Sequence, residues 1–208
     1  MMTTSAFEIL GPIMVGPSSS HTAGALRIAL VARSLGPSPL ARVTFTLYNS
    51  FSRTYRGHGT DRALVAGIMG LAPDDVRVRD SFDLARERGL DFEFVPSDAG
   101  AGLHPNTVTI SMEGADGTRM SVTGESLGGG RVRISSIDGI AVEITGDYPT
   151  LFVAHQDRPG VLAALTSGLS AGGVNIATMR TFRERQGGRA YTVFEVDGGL
   201  DQALLEYL

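Results

Sequence analysis

The sequence predicts an α+β fold in two domains, on the strength of three features. Helical runs and strands of period two are interleaved through residues 1–146. The turn-forming cluster Gly146-Asp147-Tyr148-Pro149 then breaks the pattern, placing a boundary between domains 1–146 and 147–208. Beyond it the elements follow in the order β-α-β-β-α.

The stretch densest in chemistry is Gly16-Pro17-Ser18-Ser19-Ser20-His21-Thr22-Ala23-Gly24. The run Ala23–Leu35, rich in Ala and Leu, predicts a helix, so the serines and His21 stand at a helix N-terminus. There the backbone N–H groups lack intrahelical partners and the dipole is positive, which suits a carboxylate or phosphate. A helix cap needs one hydroxyl. Three consecutive serines followed by His-Thr exceed that need and favour a functional site.

Gly36-Pro37-Ser38-Pro39 is a turn, and Val43, Phe45 and Leu47 alternate with polar residues as a half-buried strand. Gly57-His58-Gly59-Thr60-Asp61 repeats the opening design in weaker form, with Thr60 or Asp61 expected to cap a helix over Arg62–Met69 that Gly70 stops. A short helix is expected from Ser81 to Arg88, a strand with Phe92 and Phe94, and a loop from Pro96 to Gly102. His104-Pro105-Asn106-Thr107 leads into a strand with Val108, Ile110 and Met112 on one face, and Asp116-Gly117 turns it back into a strand with Met120 and Val122. After Gly128-Gly129-Gly130, two more strands are expected at Val132-Ile134 and Ile140–Ile144.

In the second domain Leu151-Phe152-Val153 is a strand, and Asp157-Arg158-Pro159-Gly160 opens a helix with Asp157 as cap and Val161, Leu162, Leu165 and Leu169 on one face. Strands at Val174–Phe182 and Ala190–Val196 follow, then an amphipathic helix from Leu200 to Leu208. This is a ferredoxin-like unit whose last strand is missing.

With 208 residues, 42% of them hydrophobic, the chain can bury a substantial core. A net charge of −4 and the lack of a basic run argue against nucleic acid and anionic lipid as partners. The sequence holds no cysteine, which excludes disulfides, thiolate nucleophiles and thiolate-held metal clusters on this chain alone. No apolar stretch reaches membrane-spanning length and no signal-like N-terminus is present, so a cytoplasmic protein is expected.

Taken together, Gly-Pro-Ser-Ser-Ser-His-Thr-Ala-Gly at 16–24, Gly57-His58-Gly59-Thr60-Asp61, His104-Pro105-Asn106-Thr107 and Gly128-Gly129-Gly130 resemble the beta subunit of bacterial iron–sulfur-dependent L-serine dehydratases. The segments His155-Gln156-Asp157-Arg158-Pro159-Gly160-Val161-Leu162 and Gly173-Val174-Asn175-Ile176-Ala177 resemble an ACT regulatory domain. The resemblance implies deamination of L-serine to pyruvate and ammonia, with a four-iron, four-sulfur cluster held by cysteines of a partner alpha subunit. It also implies that this chain binds substrate. Ser18, Ser19, Ser20 and Thr22 offer donors to a carboxylate, and His21 is the leading active-site histidine, as substrate ligand or proton carrier. His58 with Thr60, and His104 with Asn106, are further candidates. For the ACT unit the resemblance points to His155, Asp157 and Asn175 as effector positions and to a homodimer formed through these units. As a helix cap and a strand-start residue, Asp157 and Asn175 are expected to converge at one end of the sheet.

Three other readings compete. A stand-alone amino-acid sensor is implied by the likeness of the first domain to a module of some phosphoglycerate dehydrogenases. A serine hydrolase built on Ser20 and His21 lacks both a Gly-x-Ser-x-Gly elbow and an orienting acid. Nucleotide binding at Gly128–Gly130 lacks a Gly-x-Gly-x-x-Gly following a strand.

Overall fold

Residues 14–145, 149–200 and 204–205 are described by a computed structural model. The chain divides between Gly139 and Ile140 into two compact units. The boundary expected at 146–149 falls mostly on residues 146–148, which lie outside the described residues.

In the first unit a π turn, Ser19–Ala23, runs directly into α1 (Gly24–Leu35). Then come β1 (Leu40–Tyr48), α2 (Asn49–Thr54), α3 (Thr60–Ile68), a 3₁₀ turn (Val76–Asp80), α4 (Ser81–Glu87) and β2 (Asp91–Ser97). A meander of β3 (Thr107–Gly114), β4 (Arg119–Gly128) and β5 (Arg131–Ile137) completes it. β1 and β2 are parallel, which requires the helical crossover between them, while β3, β4 and β5 pair antiparallel. Within this unit the sheet order is β2-β1-β3-β4-β5; β6 (Ile140–Ile144) opens the second unit.

The alternation read from the sequence is the core of the sheet. Val43 pairs with Met112, Phe45 with Ile110 and Leu47 with Val108, and all six are buried. Ala25, Leu26, Ile28, Ala29 and Ala32 of α1 are buried, as are Ala63 to Ile68 of α3. These helices cross so closely that a Cβ on Gly67 would stand 2.4 Å from the Leu26 carbonyl oxygen. Likewise α1 lies so near the sheet that a Cβ on Gly124 would stand 2.4 Å from Ile28 Cγ2.

Two local expectations are corrected, and the nucleotide reading, already disfavoured by sequence, loses its remaining basis. The helical region starts before Ala23, because Ser18 Oγ accepts from the His21 N–H and the Ser18 carbonyl from Thr22 and Ala23, winding a π turn ahead of α1. Neither Thr60 nor Asp61 caps α3. Its cap is Gly59 at φ 68°, which turns the chain without a side chain, while Thr60 is fully buried. Gly128-Gly129-Gly130 turns β4 tightly into β5 with all three residues at positive φ, and the Gly130 carbonyl accepts from Arg27. A hairpin turn has no following helix to receive a phosphate, which removes the geometric basis of a nucleotide loop.

In the second unit β7 (Thr150–Gln156), β9 (Arg189–Asp197) and β8 (Asn175–Arg183) form a three-stranded sheet in the order β7-β9-β8. Helix α5 (Val161–Ala171) covers it, with Leu165 and Leu169 packed on Phe194, Val196 and Leu204. Among the described residues no strand lies beside β7 on the side away from β9. Of the helix expected over 200–208, Leu204 and Leu205 are helical; residues 201–203 and 206–208 lie outside the described residues.

Candidate active site

One end of the first sheet gathers every histidine-bearing loop of that unit. β1 and β2 both run toward this end, β3 starts from it and β4 returns to it. At that end stand Asn49-Ser50 at the start of α2, the loop 98–106 and Ser126 near the end of β4. In open α/β sheets the ends of parallel strands are where loops converge into binding crevices.

His21 is the hub. Its Nδ1 is 3.0 Å from Ser20 Oγ and its Nε2 is 3.0 Å from Ser50 Oγ, while Ser18 Oγ lies 3.4 Å from Ser20 Oγ. The imidazole stands edge-on to buried Phe51, with ring centroids 5.4 Å apart, and 4.9 Å from the His58 ring. Burial first, and the neighbouring His58 second, hold His21 below the usual imidazole range. A neutral ring with both nitrogens on hydroxyls can accept a proton at one nitrogen and release one at the other.

Ser18, Ser19, Ser20 and His21 are half-buried and His58 is exposed, so solvent reaches this cluster. Thr22 is instead buried, and its hydroxyl donates to the His58 carbonyl at 2.9 Å. That bond ties the two loops together and leaves no Thr22 hydroxyl for a ligand. Thr60 is interior as well, its hydroxyl without a partner.

The His104 loop joins through backbone. The Ser50 N–H donates to the Pro105 carbonyl at 2.9 Å, and Asn106 exchanges bonds with Ser126. His104 Nδ1 accepts from the Asn106 N–H at 3.2 Å, so the neutral ring carries its proton on Nε2. Ser126 Oγ is buried without a partner, and a Cβ on Gly24 would stand 2.0 Å from it. Only glycine lets the start of α1 lie this close to β4.

Ser50 was not among the residues singled out by sequence. A lone serine after a strand has no signal of its own; only the fold brings it against an imidazole 29 positions away. A cavity of about 560 Å³ lies elsewhere, lined by Leu30, Arg33, Pro37, Ile68, Arg88 and Leu90 at the opposite end of α1. None of the histidines lines it.

Known proteins resemble this chain along nearly its whole length. Over 98% of its length it is 43% identical to the L-serine dehydratase beta chain of Peptoniphilus asaccharolyticus, and it spans 92% of that protein. This chain belongs to the serine dehydratase beta chain family. The family model for the serine dehydratase beta chain matches residues 5–88, and that for the ACT domain matches 149–206. The probable L-serine dehydratase beta chain of Bacillus subtilis is 38% identical over all of this chain and 94% of its own length. A D-3-phosphoglycerate dehydrogenase of Synechocystis is 30% identical over 68% of this chain, which spans only 26% of that protein. The Ser/His and Gly-His-Gly loops both lie within the residues matched to the serine dehydratase beta chain model.

In the ACT unit the three candidate residues are spread out. His155 Nδ1 donates to the Gln156 carbonyl at 3.0 Å, leaving Nε2 to accept from Thr192, whose hydroxyl meets that of Thr181 at 3.0 Å. Asp157 does not cap α5, whose cap is Gly160 at φ 90°. Its carboxylate accepts from the Gly187 N–H and the Arg183 guanidinium, and these bonds hold it below the usual carboxylate range. Asn175 donates to Asp197 at 2.6 Å.

The expected convergence fails on register. Gln156, next to Asp157, pairs with Arg189 at one end of β9, and Asn175 pairs with Asp197 at the other. At roughly 3.3 Å per residue these ends are about 26 Å apart. The two strands run parallel with β9 between them, which puts the close of β7 and the start of β8 at opposite ends.

Proposed function

We propose that this chain is the substrate-binding and regulatory subunit of an L-serine ammonia-lyase, active with an alpha subunit that holds a four-iron, four-sulfur cluster. The family supports the lyase reading, and the His21–Ser20–Ser50 network supports the placement of the chemistry. The 208 residues include no cysteine, and no cluster of three His, Asp or Glu occurs among the described residues, so the donor set for such a cluster does not fit this chain.

This chain's share begins with the carboxylate. Ser18, Ser19 and Ser20 supply hydroxyl and backbone donors at the positive end of the π turn and α1, which favour an anion over a neutral group. The imidazole of His21, kept neutral by burial and by His58, takes the α-proton directly or through the hydroxyl of Ser20 or Ser50. A proton taken at one nitrogen drives release from the other, to the hydroxyl of Ser20 or Ser50 bound there. Loss of the β-hydroxyl, which takes up a proton and departs as water, completes the elimination; the enamine formed then adds water and releases ammonia to give pyruvate.

The test is reconstitution with an alpha subunit. His21→Ala is expected to lower kcat by at least about 100-fold, the usual worth of a positioned acid–base group. Unchanged turnover would remove His21 from the mechanism. The second reading, an amino-acid sensor without activity, draws on the partial likeness to a phosphoglycerate dehydrogenase. It would be selected by a chain that binds L-serine yet gains no turnover with any cluster-bearing partner.

A further inference from the structure

We infer that Asn49 is the positioning residue that aligns Ser50 with His21 and docks the His104 loop beside them. Asn49 follows the last residue of β1 and holds φ at 49°, a left-handed conformation uncommon for a residue with a side chain. Ser50, the next residue, is thereby turned out of the strand direction and meets His21 Nε2 at 3.0 Å. Strained backbone of this kind persists where its surroundings over-determine it.

The surroundings here are explicit. Asn49 Nδ2 donates to the Gly100 carbonyl at 2.9 Å and the Leu103 carbonyl at 3.2 Å, and lies 3.5 Å from that of His104. Its amide group packs so tightly on Gly100 that a Cβ there would stand 2.4 Å from Asn49 Oδ1. One carboxamide thus gathers three carbonyls of the loop between β2 and β3, and the adjacent Ser50 N–H takes a fourth from Pro105. The same dipeptide therefore fixes His21 on one side and the His104 loop on the other. A positioning role in turnover rests on the lyase reading above; the alignment itself is a property of the isolated chain.

The experiment uses the full chain labelled with ¹⁵N at its four histidines, with amide hydrogen exchange followed in parallel. Asn49→Gly keeps the left-handed backbone and deletes the carboxamide. It is expected to move the His21 Nε2 resonance, raise the His21 titration midpoint as the ring gains water with His58 still facing it, and speed exchange of amides 100–104 at least tenfold. Gly100→Ala, at a glycine without positive φ, should produce the same changes by pushing on Asn49, and should add little in the Asn49→Gly background. Should Asn49→Gly prevent folding, Gly100→Ala alone carries the test. An unmoved His21 titration with unchanged loop exchange overturns the inference, as do strictly additive effects of the two substitutions. A chain whose alignment passes these tests but which never gains turnover would defeat the lyase reading and leave this one standing.

Discussion

At the scale of residues, the organising fact is an imidazole with a hydroxyl on each nitrogen. Because its folded pKa lies below the ordinary value of about 6.5, the native chain binds that proton less readily than the unfolded chain. Its neutral form favours folding above about pH 6.5, and that contribution is lost as pH falls through the unfolded value toward the folded one. Urea midpoints measured from pH 7.5 down to 5.5 should fall more steeply for the wild-type chain than for His21→Gln. Equal slopes would mean that the ring is not desolvated in solution. Sequence pointed to His21 and the serines because five polar residues in a row are conspicuous. It gave no sign of Ser50 or Asn49, whose roles exist only through a positive φ and contacts made about 30 to 55 positions away.

At the scale of elements, the site depends on how closely α1 and α3 approach. Gly67→Ala sets two effects against each other. In an exposed helix the change would gain about 0.5–1 kcal/mol from propensity. Here the new Cβ meets the Leu26 carbonyl at 2.4 Å and Ala29 Cβ at 2.6 Å, and backbone cannot rotate away. Overpacking of this sort costs about 1–3 kcal/mol, so a net loss on the order of 1–2 kcal/mol is expected. That corresponds to a drop of roughly 2–8 °C in Tm by calorimetry. A rise in Tm would show that the helices can part. The elements themselves were legible: Val43, Phe45 and Leu47 on β1 and the Ala-rich helices follow from periodicity. Caps were not. Gly59 and Gly160 take the positions expected of Thr60, Asp61 and Asp157, because in each loop a left-handed turn sets the helix start before a side chain can reach it.

At the scale of the whole molecule, the register of the ACT sheet decides how an effector site can form. At roughly 3.3 Å per residue His155 stands about 23 Å from Asn175 along the strands, too far for one chain to close a small ligand between them; a site that used both would require a second copy. Two copies related by a twofold axis would build each site from His155 and Asp157 of one and Asn175 of the other. Calorimetric titration of L-serine into the full chain should then give heat that is lost in His155→Ala and in Asn175→Ala. Mixing the two variants and letting copies exchange should restore about a quarter of the sites, because half the dimers are mixed and each carries one intact site. No restoration would reject a shared site.

By itself the sequence determined the α+β class, the family and the chemistry-bearing loops, because periodicity and short motifs are local and survive without knowledge of neighbours. The tertiary structure alone decided which hydroxyls meet His21, that Thr22 and Thr60 turn inward, and that the ACT residues stand at opposite sheet ends. Those outcomes rest on register, handed turns and close approach between segments remote in sequence, none of which a linear pattern encodes.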